Sequence, residues 1–251
     1  MIRHIYTQEE IDKILNRFAK NDAFTCLFIT ACFTGMRTGE VCALTWNDIN
    51  FEDKTITINH NVYSKRKDEK GKWFIGTPKT INSERKVYMC DTLLTALNNY
   101  KNKQENLRKL YGKKYHYYHI EDVKNKHGKV IEYRIVETNK KSTKIYNFDL
   151  VFTKRDGTYI GTDIVKYPYK VIHDELGFEN CRFYDLRGSF ATKALRSGVE
   201  IKDVAEILGH SRIETTENYY ISSSIENQKN ATKLIEKQIK SETINNIIEF
   251  K

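Results

Sequence analysis

The chain is poor in the features that mark membrane, secreted and metal-dependent proteins. Its longest strongly apolar stretch, Leu27–Phe33, is broken by Thr30 and is far too short to cross a bilayer. No apolar segment before a small-residue cleavage site follows Met1-Ile2-Arg3-His4. The expected compartment is therefore the cytoplasm, and no membrane partner is expected. Cysteines number only five, Cys26, Cys32, Cys42, Cys90 and Cys181. The count is odd and no pair has CxxC spacing, which argues against a disulfide framework or a zinc knuckle. In a reducing cell they read as small buried hydrophobes. The chain has no HExxH, no Walker loop and no carboxylate cluster of the two-metal kind, so neither a metal nor another cofactor is expected. No internal repeat is visible, and only two prolines occur.

What remains is a folded, basic protein. With 39% apolar and 30% charged residues over 251 positions, the chain can bury a real core as one large domain or two small ones. Lysine and arginine outnumber the acids 42 to 33, a formal charge of +9. Such a balance points to a polyanionic partner, although alone it is a weak signal.

The pattern is mainly helical. Thr7-Gln8-Glu9-Glu10 is a capping box, followed by an apolar face of Ile11, Ile14, Leu15 and Phe18. A second helix is expected over Phe24–Phe33, broken by Thr34-Gly35, and a third over Thr38–Trp46. Alternation at Thr55–Ile58, with further strands near Trp73–Ile75 and Arg85–Met89, predicts a three-stranded antiparallel sheet within residues 51–89. A helix is expected over residues 92–110. Val130–Val136 alternates weakly, as a strand of an inserted hairpin would, and Asp156-Gly157 marks a turn. Helices resume near Ile164. Leu186, Phe190, Ala194 and Leu195 share one face, closed by Gly198; Ile201, Val204, Ala205 and Leu208 share another, closed by Gly209. The fold class is α+β, mainly α-helical.

Three segments carry chemistry: Thr34-Gly35-Met36-Arg37-Thr38-Gly39-Glu40, Tyr184-Asp185-Leu186-Arg187, and Leu208-Gly209-His210-Ser211 with Thr215-Thr216-Glu217-Asn218-Tyr219. Each has a plain structural reading on its own. Arg37 could be a surface arginine, Arg187 could pair with Asp185 or another acid, His210 could complement a helix dipole, and Tyr219 could be one of 16 tyrosines that merely pack.

In order and spacing, the set resembles the tyrosine recombinase family, whose pattern is a TGxRxxE turn, an HxxR motif, an LGHxxxxTT stretch and a nucleophilic tyrosine. The resemblance runs from about Thr7 to Tyr220, and Thr77-Pro78-Lys79-Thr80 is most like the integrases of conjugative transposons and phages. It implies a catalytic-domain fold over residues 1–225, without the family's separate N-terminal DNA-binding domain. Residues 226–251 would be a helical tail, with an apolar stripe of Ala231, Leu234, Ile235, Ile239 and Ile244, either exchanged between protomers or packed on its own domain.

The implied reaction is site-specific DNA recombination through a 3′-phosphotyrosine, on double-stranded DNA, with a tetramer at synapsis. Alternatives are a type IB topoisomerase-like relaxation and a non-catalytic DNA-binding protein of the same fold. A phosphodiester under attack gains negative charge, which Arg37 and Arg187 can hold by bidentate hydrogen bonds while His210 donates a further one. Preorganised donors of this kind are worth roughly 3–4 kcal/mol each. Tyr219, nine residues after His210, would be the nucleophile, with Tyr220 the neighbour to test against it.

Lys79 falls where the family's general acid is expected, with Lys72 and Lys86 in the same region. Tyr184 departs from the pattern, standing where the family has histidine. A phenol, with an unperturbed pKa near ~10, is a poor base at pH 7, which leaves an orienting role or simple packing. Glu40 and Asp185 are expected to orient arginines. His116 and His119 read as solvated or packed, and the basic stretch Lys101–Lys114 as a phosphate-contacting surface.

Overall fold

A central helix that is apolar on all sides organises the molecule. The structure, a computed structural model, describes residues 4–64, 72–76, 85–138, 148–210 and 212–216. Helix α1 (Gln8–Arg17) starts at the expected box: the Thr7 hydroxyl accepts from the Glu10 amide, and the Glu10 carboxylate accepts from the Thr7 amide. Helix α2 (Asp22–Thr34) buries Phe24, Cys26, Leu27, Phe28, Thr30, Ala31 and Thr34, and a helix without a polar face must be enclosed by others. Gly35 ends it in the left-handed region, at φ +61°.

Helix α3 (Thr38–Cys42) is shorter than the periodicity predicts. Thr45 and Asp48 start a new 3-10 turn over Trp46–Asp48, in which both the amide and the hydroxyl of Thr45 donate to Asp48. Trp46 is held there by its indole N–H, which donates to Gln104 at 2.7 Å.

The strands divide differently from the expectation of one sheet within residues 51–89. Strands β1 (Ile49–Asn50), β2 (Thr55–Ile58) and β5 (Arg85–Tyr88) form a three-stranded antiparallel sheet in the order β1-β2-β5. Strand β4 (Trp73–Gly76) instead lies between β3 (Asn61–Ser64) and β7 (Val130–Thr138), with β6 (Tyr117–Lys124) outside β7. The reason is burial. Trp73, Phe74 and Ile75 are all buried, so β4 is covered on both faces and paired along both edges. By contrast β5 alternates buried and exposed along its length. The inserted hairpin, β6 and β7, contains the expected strand at Val130–Val136.

Helix α4 (Asp91–Tyr111) runs beside α2 in the opposite sense: Ala96 accepts from Cys26, and Lys103 pairs with Asp22. Helices α5 (Lys166–Leu176), α6 (Asp185–Arg196) and α7 (Ile201–Leu208) complete the described fold. Most of the core is one cluster around α2. A smaller one, Ala191, Val204 and Leu208, with Phe190, Ala194 and Leu195 against it, joins α6 to α7.

Of the cysteines, Cys26, Cys42 and Cys181 are buried as expected. Cys90 is exposed, and all five are free thiols. Among the described residues no helix is long and apolar enough to cross a membrane. The apolar tail, residues 226–251, lies outside the described residues.

Candidate functional site

Two of the motif segments meet at helix C-termini. Gly35 closes α2 and Gly209 closes α7, both in the left-handed conformation. Each such end leaves carbonyls without helical partners and carries partial negative charge. The third segment, at the start of α6, supplies a cation to both. Arg187 donates from Nη1 to the Gly35 carbonyl at 2.9 Å and from Nη2 to the Leu208 carbonyl at 2.7 Å. Gly35 is required at this junction. A Cβ there would lie 2.6 Å from Leu208 Cδ2 and 2.8 Å from Phe190 Cδ1.

Three arginines share the end of α7. Arg85 Nε donates to the Ile207 carbonyl at 2.7 Å, Arg187 to Leu208, and Arg37 Nη2 to Gly209 at 3.3 Å. One carboxylate lies among them. Glu40 accepts from the Arg37 amide (2.8 Å) and Nη1 (2.6 Å), and from Arg85 Nη1 (3.2 Å) and Nη2 (2.9 Å). Burial alone would raise the Glu40 pKa, but Arg85 and Arg37 outweigh it and hold it at about 2. Three guanidinium groups thus face one carboxylate, and the cluster keeps a surplus of positive charge. Burial above all, and then repulsion from Arg37, push the Arg187 pKa down to about 10, with Glu40 offsetting part. At neutral pH it remains charged.

The two motif arginines are not equivalent. Arg187 is only 1% exposed, whereas the Arg37 side chain is 37% exposed. Arg187 spends two of its five N–H donors on helix-end carbonyls. Its buried Nε has no hydrogen-bond partner among the described residues.

His210 follows the Gly209 turn, its amide bonded to the Ala205 carbonyl. Its Nδ1 lies 2.8 Å from the hydroxyl of Thr216, a fully buried residue, so the second threonine of the Thr215-Thr216 pair fixes the imidazole plane. Tyr184 is the N-cap of α6, one turn before Arg187, and is 46% exposed. Lys79, Tyr219 and Tyr220 lie outside the described residues.

Other assignments are sorted by contacts. Glu40 orients Arg37 as expected. Asp185 does not pair with Arg187; it is buried and bound to Arg182 through both carboxylate oxygens, because Arg182 lies just before α6 whereas Arg187 points toward the ends of α2 and α7. Lys86 is on the face of β5 opposite Arg85. His116 and His119 bind separate acids, Glu137 and Glu121, and no group that could hold a metal ion occurs among the described residues. The Lys101–Lys114 stretch lies toward the Asp22 end of α2, roughly 20 Å of helix from the Gly35 turn.

Arg85 is the residue that sequence reading missed. The one available signal was its place at an inward position of an alternating strand, where a charge must have a buried partner.

Comparison with known proteins gives a consistent result. The sequence model of the phage integrase family matches residues 5–226. A XerC-like tyrosine recombinase of Caldanaerobacter subterraneus subsp. tengcongensis is 30% identical over 220 residues, 86% of this chain and 49% of that protein. The ICEBs1 integrase of Bacillus subtilis is 27% identical over 84% of this chain and 48% of its own length. The transposase of transposon Tn916 from Enterococcus faecalis is 25% identical over 96% of this chain and 53% of its own. The chain thus spans about half the length of the curated relatives it matches. In fold it is similar to the Tn1549 transposon integrase in complex with circular intermediate DNA (TM-score 0.66, 18% identity, 94% of this chain and 68% of that one). It is also similar to the XerA recombinase (TM-score 0.59, 15% identity, 96% and 66%).

Proposed function

This chain belongs to the phage integrase family, and from that premise we propose that it cuts and rejoins double-stranded DNA at specific sites through a covalent 3′-phosphotyrosine. One observation carries the reading. Segments about 150 residues apart in sequence converge on the end of α7: Arg37 and Arg187 bond its last carbonyls, His210 follows it, and three arginines there meet one carboxylate, Glu40. A phosphodiester is the ligand this chemistry fits. Its non-bridging oxygens gain charge as the nucleophile attacks, and donors already held in place stabilise that charge without reorganising.

Arg37, the more exposed arginine, would contact the phosphate most directly. Arg187 would supply charge from below and hold the two helix ends at a fixed spacing. His210, its ring set by Thr216, would complete the cluster. Tyr219 Oη would attack phosphorus as its proton passes to solvent water, the P–O5′ bond would break, and the departing 5′ oxygen would take a proton from Lys79. The resulting phosphodiester retains the energy of the broken bond, so the reverse attack by a 5′ hydroxyl needs no ATP. Tyr184 would orient the phosphate by a hydrogen bond rather than take the proton from Tyr219. Two duplexes and a tetramer of protomers would make the exchange productive, with residues 226–251 joining neighbours. The names of the relatives, integrases and transposases of mobile elements among them, support integration or excision as the biological setting.

The test is a nicked suicide duplex carrying a candidate site. An SDS-resistant adduct that forms in EDTA and is lost in Tyr219→Phe but kept in Tyr220→Phe is the expected outcome. A chain that binds the duplex and forms no adduct would refute the reading.

A further inference from the structure

We infer that Arg85 is a positioning residue for strand cleavage: by sharing Glu40 with Arg37 and anchoring the end of α7, it keeps the Arg37 guanidinium aligned for the phosphate. The inference rests on the function proposed above. Arg85 is 9% exposed, and every nitrogen of its guanidinium is engaged by the protein, Nε by Ile207 and both Nη groups by Glu40. It is therefore not placed to touch substrate, and its effect passes through what it holds.

What it holds is the environment of two proposed site residues. The same Glu40 oxygens bind the Arg37 backbone and guanidinium. With Arg85 present, one carboxylate is divided between two cations. With Arg85 removed, Glu40 would be a buried anion with Arg37 as its remaining guanidinium partner. Arg37, already bonded to Glu40 through its amide and Nη1, would then carry the pairing alone, and its Nη2 would be pulled from the Gly209 carbonyl toward the carboxylate. The second effect is on His210. The Gly209 turn lies directly on Arg85, so close that a Cβ at Gly209 would be 3.0 Å from both Cδ and Nη1 of Arg85. The Ile207 carbonyl is tied to the same side chain. Arg85 thus supports the backbone from which His210 projects, and it does so from β5, where strand alternation turns Arg85 and Val87 inward.

The experiment measures adduct formation on the suicide duplex, with either a phosphate or a methylphosphonate at the cleavage position. The methylphosphonate lacks the charged non-bridging oxygen that Arg37 would stabilise. Wild type, Arg85→Met, Arg85→Lys, Glu40→Gln and the double variant Arg85→Met/Glu40→Gln are compared, with thermal melting of each.

Arg85→Met is expected to lower the rate at saturating duplex by about 10–100-fold, the range typical of residues that orient a reacting group. Its duplex affinity should change by less than about threefold, since an interaction felt only in the transition state leaves binding alone. The loss should shrink on the methylphosphonate, Arg85→Lys should recover part of the rate, and the double variant should be no slower than Arg85→Met, because Arg37 is no longer captured.

A folded Arg85→Met chain that cleaves at the wild-type rate overturns the inference. So does a loss equal on both substrates and additive with Glu40→Gln, which would mark a purely structural support. If Arg85→Met alone does not fold, Arg85→Lys takes its place against wild type on the two substrates, and a wild-type rate or a loss equal on both overturns the inference. A wild-type chain that binds duplex without forming adduct would overturn the proposed function and this role with it; a competent wild type with an indifferent Arg85→Met overturns this role alone.

Discussion

Two regions of this protein use the same kinds of side chain to opposite ends. At the end of α7, Arg37, Arg85, Arg187 and Glu40 are mostly buried and bound to one another or to helix-end carbonyls. On the inserted hairpin of β6 and β7, Arg134 pairs with Glu121 and His116 with Glu137, all partly or largely exposed to solvent. Water screens the hairpin pairs and lets each partner dissociate at little cost. Burial denies that option at the cluster, where each charge must be matched by the protein or by a ligand. Charge therefore confers preorganisation at one site and little stability at the other.

The comparison is broken most severely by removing Arg187. Arg187→Ala leaves the Gly35 and Leu208 carbonyls without their donor, and we expect a loss of about 2–4 kcal/mol in chemical denaturation. Adduct formation should fall by about 100–1,000-fold. A variant that melts and cleaves like wild type would mean that the helix ends are held by something else.

A smaller effect, with a distinct pH signature, is expected at Glu40. Its pKa is held at about 2, below its ordinary value of 4.5. A depressed carboxylate contributes stability that is fully present above 4.5 and is lost as the pH falls toward 2. Wild type should exceed Glu40→Gln by on the order of 3 kcal/mol at pH 7, and the gap should narrow over that window. Denaturant titrations at several pH values check this; a gap independent of pH would show that the arginines do not hold the carboxylate ionised.

The least effect is expected on the hairpin. Arg134→Ala should shift the melting temperature by less than about 2 °C, in keeping with an exposed pair. A shift as large as that of Arg187→Ala would erase the contrast between the two regions.

Much of this is legible in the sequence. Thr7 and Glu10 announced the first helix start, Gly35 and Gly209 the ends of α2 and α7, and the motif segments three residues that converge, Arg37, Arg187 and His210. The hairpin strand at Val130–Val136 was weaker but present. The early end of α3 was not legible, because the competing Thr45–Asp48 turn is as local and as favourable as the helix it interrupts. Nor was the division of the strands into two sheets, because a run such as Trp73-Phe74-Ile75 states that it is buried without stating between which neighbours.

The sequence by itself determined the residue types, their order and the turns that release them from their helices, since capping, glycine conformation and apolar periodicity act over a few residues. Only the tertiary structure decided that Arg187 lies beneath while Arg37 is the more exposed, and that Arg85 shares Glu40 with Arg37. Those outcomes depend on carbonyls and carboxylates brought together from positions tens to more than a hundred residues apart. The cost of burying a charge is set by whatever packs around it, and no local pattern in the chain records that.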